Sequence, residues 1–354
     1  MAPVKTGSFT SSVVTTLDSW RVFVEHDPEP VTLLTAAELG RLTDAERLTY
    51  DDERSDYHAE LPALKTPILD RTVTKGMLFM RLNRGQQLGT SCGMVLSGVP
   101  GVGKSTAIRA LGCTVERAYR RRNPQMTDAV PVVYITMPTA QHPKALPAEL
   151  LYFLGAPHGA RANETALAHQ ACQLMTDLRT SLVLVDEVQE LDRSRASHDQ
   201  QSDQLKYFMD HVPATFVLTG INVENCGFFT GHRGHQLARR FTPLKASPSN
   251  YSTIAQRQEW AMLIEGFERA LRLHAHKPGS LLPLADYLFG RTGGYIVSLS
   301  HLIREAAIKA ILTGTERIDK QLLDSVELDH AATEEEEAAA QRLANPKTRK
   351  RGRH

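Results

Sequence analysis

The sequence predicts an α/β fold in which helices flank a central, mostly parallel sheet, followed by a small all-helical domain. Apolar runs of strand length alternate with stretches of helical spacing, and the predicted strands are residues 93–97, 130–137, 182–185 and 214–220. Such alternation is typical of parallel strands joined by right-handed crossovers, with helices on both faces. From Pro248 to about Leu328 the apolar spacing is helical, which predicts the all-helical domain.

The first predicted strand leads into a glycine-rich stretch, GVPGVGKST, at residues 98–106. Its G-x-x-x-x-G-K-S spacing fits a phosphate-binding P-loop, in which glycines let backbone N–H groups approach phosphate oxygens closely. Helical spacing over residues 106–119 places the loop at a helix N-terminus, which favours an anion. We expect Lys104 to neutralise the outer phosphates and Ser105 to ligate Mg2+. The predicted nucleotide-binding residues are Gly98, Val99, Pro100, Gly101, Val102, Gly103, Lys104, Ser105 and Thr106.

A second motif, SLVLVDEVQEL, begins at Ser181. Its unbroken apolar run predicts a central strand buried on both faces that presents two carboxylates at its C-terminal end. We expect Asp186 to hold magnesium, partly through water, and Glu187 to polarise the water that attacks the terminal phosphate. The alternative is a strand followed by a solvated acidic turn. The presence of the P-loop favours ATP hydrolysis, with ATP and Mg2+ as cofactors.

The strand at residues 214–220 has a polar residue, Thr219, at its end. Open parallel sheets bind ligands at the carboxyl ends of their strands, so Thr219 is expected to sense the terminal phosphate or to position water. Asn222 is a nearby substitute. The alternative is an ordinary strand end, since strands often finish in threonine.

Two arginines occur in the segment QLARRF, at Arg239 and Arg240. One interpretation is that they cap a helix C-terminus, where the helix dipole favours cations. The other is that one of them reaches the phosphates bound to a neighbouring subunit and stabilises the transition state only after assembly. Arg240 is the preferred candidate for that role and Arg239 the second.

The composition is that of a soluble chain with a substantial core. The 354 residues are 42% hydrophobic, enough for one large or two moderate domains. No window approaches eighteen uninterrupted apolar residues and the N-terminus lacks a signal pattern, which predicts a cytoplasmic protein. The cysteines are scattered without metal spacing, which suits a reducing compartment; they are Cys92, Cys113, Cys172 and Cys226.

Four regions are predicted along the chain: an N-terminal extension at 1–60, the α/β domain at 61–247, the helical lid at 248–330 and a charged tail at 331–354. Short helical pieces in the extension begin near Thr35, and the extension is expected to dock on a neighbour. The tail has an acidic block, EEEE, and closes with KTRKRGRH, which predicts disorder. Whether the basic end binds nucleic acid or only keeps the chain soluble stays open.

The order of these parts resembles the AAA+ ATPases over roughly residues 64–328. The segments DEVQEL, LTGIN, QLARRF and TGGYIVSLSHLIREAA resemble the TniB/TnsC group of transposition regulators, relatives of MuB. The resemblance implies a bacterial, nucleoid-associated protein that forms a ring or helical filament on duplex DNA with ATP. It also implies that this oligomer recruits and activates a DDE transposase, with a possible target-selection factor, and that hydrolysis controls disassembly.

The same resemblance matches Thr219 to the residue called sensor 1 and Arg240 to the arginine finger. The helical lid departs from the family pattern. Many AAA+ lids have an arginine a few residues after a Gly-Gly turn that touches the terminal phosphate, whereas here Tyr295 follows the two glycines. Arg291 and Arg304 are both possible substitutes, and the sequence does not choose between them.

A basic cluster on and beyond the P-loop helix is the predicted DNA-binding surface, because sequence-independent binding needs cations that face phosphates. Its residues are Arg109, Arg117, Arg120, Arg121 and Arg122. Lys144, after the second predicted strand, is a weaker candidate. The alternative is a solvated basic helix end that complements the helix dipole.

Two other functions are compatible with the same motifs. A helicase loader or replication initiator would use the same ATPase parts on a different partner. A signalling or defence scaffold would use nucleotide only to switch oligomerisation, although Glu187 and Arg240 argue against negligible turnover.

Overall fold

The computed structural model describes residues 14–26, 30–85, 91–138, 144–156, 162–188, 195–225, 229 and 231–328. Cys226 and the predicted charged tail lie outside these described residues. The chain divides into two compact units. The first comprises the segment that ends at His26 together with Ile68–Gly98 and Lys104–Lys245, and the second comprises Asp27–Pro67, Val99–Gly103 and the residues from Ala246 onward.

The described residues contain five strands and thirteen α-helices. The strands are β1 Gly93–Gly98, β2 Val132–Thr136, β3 Leu182–Asp186, β4 Thr215–Gly220 and β5 Phe241–Ala246. The helices are α1 Leu17–Glu25, α2 Ala36–Leu39, α3 Asp44–Ala59, α4 Pro67–Gly85, α5 Lys104–Arg122, α6 Ala145–Phe153, α7 Glu164–Asp177, α8 Arg195–His211, α9 Gly231–Ala238, α10 Ile254–Ala270, α11 Ala285–Thr292, α12 Ile296–Leu312 and α13 Lys320–Asp324. Within this part of the chain, no helix is both long and apolar enough to cross a bilayer.

The strands form one sheet in the order β2-β3-β4-β1-β5. β3 pairs in parallel with β2 and with β4, and β4 pairs in parallel with β1. All four predicted strands are present, so the predicted parallel sheet flanked by helices is confirmed. β2 is shorter than predicted because Pro131, just before it, has no N–H to donate to a ladder.

The edge strand β5 was not among the predicted strands. Its sequence, FTPLKA, contains a proline, and exposed residues interrupt its apolar ones. Proline in a strand is confined to edges and bulges because it cannot donate to the ladder. The apolar signal of β5 is therefore weaker than that of the buried strands, in which almost every residue is inside.

Within the predicted extension at 1–60, the described residues 14–26 belong to the first unit and residues 30–60 to the second. In the first unit, the Thr16 side chain caps α1 and Trp20 is 0% exposed. A Cβ at Gly112 of α5 would lie 2.5 Å from the Trp20 ring, so the missing side chain makes room for the indole. In the second unit, α3 buries Tyr57 and His58. Burial of these large side chains explains why the segment folds with the units.

The second unit is a helical domain, as predicted. Its core is apolar and contains Trp260, Ile264, Leu288, Leu299, Leu302 and Ile303, all 0% exposed. Two of its helices begin with reciprocal capping boxes, Thr43 with Glu46 at α3 and Thr253 with Gln256 at α10. Each box satisfies backbone N–H groups that a helix start leaves unpaired.

A buried ion pair joins α3 to the loop after α12. The guanidinium of Arg54, which is 0% exposed, donates two 2.7 Å hydrogen bonds to the Glu316 carboxylate. Burial alone would raise the pKa of Glu316, but the bonds from Arg54 and the His274 N–H hold that pKa below its usual range. The pair is therefore charged at neutral pH and fixes residues 44–59 in the helical domain.

Replacing Arg54 with methionine should leave a buried carboxylate without its partner and lower the free energy of unfolding by about 3–5 kcal/mol. Urea unfolding followed by circular dichroism measures this loss. Arg269→Met is the matched control, because Arg269 is 79% exposed in its pair with Glu265 and such pairs contribute about 1 kcal/mol or less. Equal losses in the two variants would contradict a structural role for the buried pair.

Candidate functional site

The P-loop connects β1, which ends at Gly98, to α5, which begins at Lys104. Gly101 has φ +75° and Gly103 has φ +85°, a left-handed backbone that only glycine adopts without strain. A Cβ at Gly101 would also lie 3.2 Å from the Tyr295 ring, and one at Gly103 would lie 3.3 Å from Ile296. The loop sequence is therefore explained by its backbone conformation and by its crowded surroundings.

The first turn of α5 contains Lys104, Ser105 and Thr106. The first N–H groups of a helix have no intrahelical partner and carry the positive end of its dipole, so this turn is suited to an anion. Burial lowers the pKa of Lys104, and the carboxylates of Asp186 and Glu187 oppose that shift. The structure thus brings together Lys104 and the two acidic residues that the sequence singled out.

Asp186 is the last residue of β3 and is only 3% exposed. Its Oδ1 accepts a hydrogen bond of 3.0 Å from the Glu187 N–H, and its Oδ2 accepts one of 3.0 Å from the Tyr134 hydroxyl. Tyr134 Oη in turn accepts bonds of 3.1 and 3.0 Å from Arg109 Nε and Nη2. Burial raises the pKa of Tyr134 to about 12, so its hydroxyl keeps its proton at neutral pH.

Sequence reasoning missed Tyr134 and assigned Arg109 to the DNA surface. The only sequence feature that could have indicated this contact is the Tyr134 hydroxyl inside the apolar run of β2. This strand lies next to β3, which ends in Asp186. Arg109 instead donates to Tyr134 and lies beside its ring, 5.2 Å from the ring centroid.

Glu187 is exposed and has φ +57°, which is rare for a residue other than glycine. Such a conformation costs free energy and occurs often where a side chain must be aimed at a ligand. The residue predicted to orient water therefore lies on a strained turn directly after the buried carboxylate.

Thr219 is 0% exposed near the end of β4, where it pairs with Leu96 of β1. Among the described residues its Oγ1 has no hydrogen-bond partner. A buried hydroxyl without a partner costs free energy, a cost that is expected of a side chain that serves ligand binding. Asn222, the suggested substitute, has φ +46° in the turn that follows.

A second polar contact joins the end of β1 to the turn that follows β4. The Ser97 hydroxyl donates to the Glu224 carboxylate and accepts a 3.0 Å bond from the Val223 N–H. The bond from Ser97 lowers the pKa of Glu224. Because Ser97 directly precedes the P-loop, this contact fixes the start of the loop. No sequence pattern indicates this contact.

Arg239 and Arg240 follow α9 in the turn before β5. The Arg240 guanidinium donates a 2.6 Å bond to Asp210 on α8, and Arg239 is exposed. The Arg240 side chain therefore pairs with a side chain of α8. The alternative interpretation was that the two arginines cap a helix C-terminus. Its role toward another subunit stays a prediction.

Several predicted DNA-binding residues have partners within the first unit. Arg117 donates to the Val24 carbonyl at 3.0 and 2.8 Å, Arg120 pairs with Glu116 at 2.9 Å, and Lys144 donates to the Ala162 carbonyl at 2.7 Å. These contacts give the three cations structural roles. Arg121 and Arg122 are exposed in the last turn of α5.

Two further cations, which the sequence analysis did not single out, lie near Arg122. Arg81 and Arg84 of α4 line the same cavity of about 180 Å3, whose other walls include Met77 and Met80. Both arginines are exposed. The exposed cations Arg81, Arg84, Arg121 and Arg122 are therefore better candidates for phosphate contacts than Arg117 or Arg120.

The two possible substitutes for the missing lid arginine both have partners in the helical domain. Arg291 donates to the carbonyls of Leu323 and Val326, and Arg304 donates to the His58 carbonyl at 3.3 Å. Burial lowers the pKa of Arg304. The structure gives each arginine a packing role and does not favour either as a phosphate contact.

The residues gathered here fit a nucleoside triphosphate with magnesium. The P-loop supplies a glycine backbone for phosphates, Asp186 supplies a buried carboxylate, and Thr219 has a hydroxyl in need of a partner. No cluster of three or more metal-ligating side chains occurs in the described part of the chain. Magnesium that is bound by one or two carboxylates plus phosphate oxygens and water needs no such cluster.

Comparison with protein families gives one match. Residues 79–251 match the family described as TniB, Bacterial TniB protein. The match confirms the resemblance drawn from DEVQEL, LTGIN and QLARRF, which all lie inside that range. A comparison with curated protein sequences finds no match.

Solved structures with the same fold include ORC proteins. The ORC1 protein of Aeropyrum pernix in complex with DNA is similar with a TM-score of 0.56 and 15% identity, covering 82% of this chain and 70% of that one. For the ORC2 protein of Aeropyrum pernix in its ADP form the TM-score is 0.55 and the identity is 16%, and the match covers 76% of this chain and 70% of that one. For Drosophila ORC bound to DNA the TM-score is 0.51 and the identity is 16%, and the match covers 89% of this chain and 73% of that one. These likenesses confirm the AAA+ P-loop fold.

The Thr219 hydroxyl, which has no hydrogen-bond partner among the described residues, leads to a prediction about stability. Thr219→Val removes a buried group without a partner and should raise the free energy of unfolding by roughly 1 kcal/mol. Thr215→Val, on the same strand, should lower it by roughly 1 kcal/mol, because Thr215 Oγ1 accepts a 2.8 Å bond from Asn83. Urea unfolding of both variants tests the contrast. A destabilised Thr219→Val would mean that the hydroxyl has a structural partner.

Proposed function

We propose that this chain, whose residues 79–251 carry the TniB family segment, is an ATP-dependent DNA-binding regulator of transposition. The observation that carries the proposal is that Lys104, which directly follows the P-loop glycines in the chain, interacts with the carboxylates of Asp186 and Glu187. In this proposal the protein assembles on duplex target DNA with ATP, recruits and activates a DDE transposase, and disassembles after hydrolysis.

The chain's own residues have distinct roles in the proposed reaction. The P-loop N–H groups and Lys104 hold the phosphates, and Ser105 and Asp186 hold the metal shell. Bound magnesium would neutralise charge that develops on the phosphate oxygens. Glu187, aimed by its left-handed backbone, orients the attacking water, and Thr219 contacts the terminal phosphate or that water.

Oligomerisation enters through Arg240. In a single chain its guanidinium is paired with Asp210. In the assembled protein we propose that Arg240 contacts the phosphates held by the neighbouring copy, with Arg239 as the second candidate. Hydrolysis would then require assembly, because the charge that stabilises the transition state comes from another subunit.

DNA binding is supported by the exposed cations around Arg84 and Arg122. Two of the similar structures, Aeropyrum pernix ORC1 and Drosophila ORC, are bound to DNA, which adds support from the same fold. Binding through phosphates depends on counterion release, so affinity should fall steeply with salt. The transposase and any target-selection factor are proposed from the TniB match alone.

A replication initiator or helicase loader is the second candidate function. The observation that favours it is the fold shared with origin recognition proteins. Copurification separates the two functions: a transposase partner supports the first, and a replicative helicase or origin DNA supports the second.

The central test is duplex binding measured by fluorescence anisotropy and electron microscopy with a non-hydrolysable ATP analogue. We expect oligomers on DNA with the analogue and release after ATP hydrolysis. Glu187→Gln should lower turnover by roughly 100-fold or more, since it removes a general base, and its complexes should persist with ATP. Glu259→Gln, at an exposed position of α10, is the control. A wild-type protein that stays monomeric and leaves DNA free would refute the proposal.

The pairing of Arg240 with Asp210 allows a sharper test of the subunit-crossing role. Arg240→Ala should lower turnover of the assembled protein by roughly 1,000-fold while nucleotide affinity is kept. Asp210→Asn breaks the same ion pair but leaves the arginine, so its turnover should be unchanged or higher. Steady-state hydrolysis across protein concentrations measures both. Equal losses in the two variants would show that only the ion pair matters.

A further inference from the structure

A tyrosine lies behind the candidate site and contacts its buried carboxylate. Tyr134 is on β2, two residues before Thr136, which pairs directly with Asp186 on β3. Because residues two apart on a strand share a face, the Tyr134 hydroxyl reaches Asp186 Oδ2 at 3.0 Å. The same hydroxyl oxygen accepts two hydrogen bonds from Arg109, a residue of α5.

The direction of these hydrogen bonds follows from the chemistry of the three groups. A guanidinium has donors and no acceptor, so Arg109 can only donate to Tyr134. The hydroxyl has a single proton, and with its oxygen engaged by Arg109 that proton points to Asp186. Asp186 Oδ2 must therefore accept, and Oδ1 accepts from the Glu187 N–H. The carboxylate is held in one orientation through both of its oxygens.

Packing prevents the tyrosine from moving away. Tyr134 is buried, and its ring stacks on Trp20 with 5.8 Å between centroids and 10° between planes. Trp20 in turn fills the space left by Gly112 of α5. The C-terminal end of α1 is fixed by Arg117, which donates to the Val24 carbonyl. The first helix is thus connected to the Asp186 carboxylate through two stacked rings.

We propose that Tyr134 is a positioning residue that holds the Asp186 carboxylate in the orientation needed to bind the magnesium shell. Trp20 of α1 and Arg109 of α5 fix the tyrosine in turn. The inference rests on the proposed ATPase function and goes beyond it by giving the N-terminal helix a role at the metal site. The role is indirect, since Tyr134 acts through Asp186 and the phosphates lie on the P-loop.

The test is Tyr134→Phe, which keeps the stacked ring and removes the hydroxyl. Binding of a ribose-labelled fluorescent ATP analogue is measured by anisotropy across a Mg2+ titration and also in EDTA. Loss of a group that orients a metal ligand typically weakens metal affinity by 10–100-fold. We expect the Mg2+ concentration at half-maximal binding to rise at least tenfold, with unchanged affinity in EDTA and a lower kcat.

Tyr119→Phe, on α5 of the same unit, is the matched control and should keep the wild-type Mg2+ midpoint. Arg109→Met is the second variant, because it leaves the tyrosine in place but frees its proton to turn away from Asp186. Its midpoint should rise less than that of Tyr134→Phe. Mg2+ midpoints that rise in the order wild type, Arg109→Met, Tyr134→Phe support the positioning role. If one variant folds poorly, a raised midpoint in the other still supports it.

Two results would overturn the inference. One is a wild-type Mg2+ midpoint in Tyr134→Phe. The other is loss of binding in EDTA together with a lower melting temperature, which would mark a general packing role. Both leave nucleotide binding by the wild-type protein intact. If the wild type itself binds no nucleotide, the proposed function fails and this inference fails with it.

Discussion

The buried carboxylate of Asp186 is the group on which the rest of the candidate site depends. A charge that is only 3% exposed is stable only when nearby groups compensate it. Here the compensation comes from a backbone N–H, a tyrosine hydroxyl and the neighbouring Lys104. These partners come from β2, from the residue directly after β3 and from α5, so the sheet and the P-loop helix must both be in place before they can surround the carboxylate.

Several groups around this carboxylate are costly in the folded chain without ligand. Thr219 has a buried hydroxyl without a partner among the described residues, and Glu187 has a left-handed backbone. The strands β3 and β4, at whose C-terminal ends these two residues lie, are otherwise mostly apolar and buried. Stability given up at one edge of a well-packed sheet is the pattern expected where the fold is selected for ligand chemistry.

The sequence predicted those features that depend on local pattern. Buried parallel strands are continuous apolar runs, and the P-loop has fixed spacing, so β1, β3 and β4 and the loop were found. Features that depend on distant contacts were missed. Arg117 binds a carbonyl 93 positions away, and Arg54 pairs with a residue 262 positions away. No local pattern reveals such partners, which is why a basic cluster that includes Arg117 suggested DNA contacts.

The contact between the P-loop and α12 has an electrostatic consequence. The Val297 N–H, in the first turn of α12, donates a 3.2 Å bond to the Gly101 carbonyl. A helix N-terminus carries roughly half a positive elementary charge, so the loop receives a positive field from backbone dipoles. This field comes from the segment that follows Gly293 and Gly294. Backbone peptide groups, which have no side-chain rotamers, thus add positive potential at the P-loop.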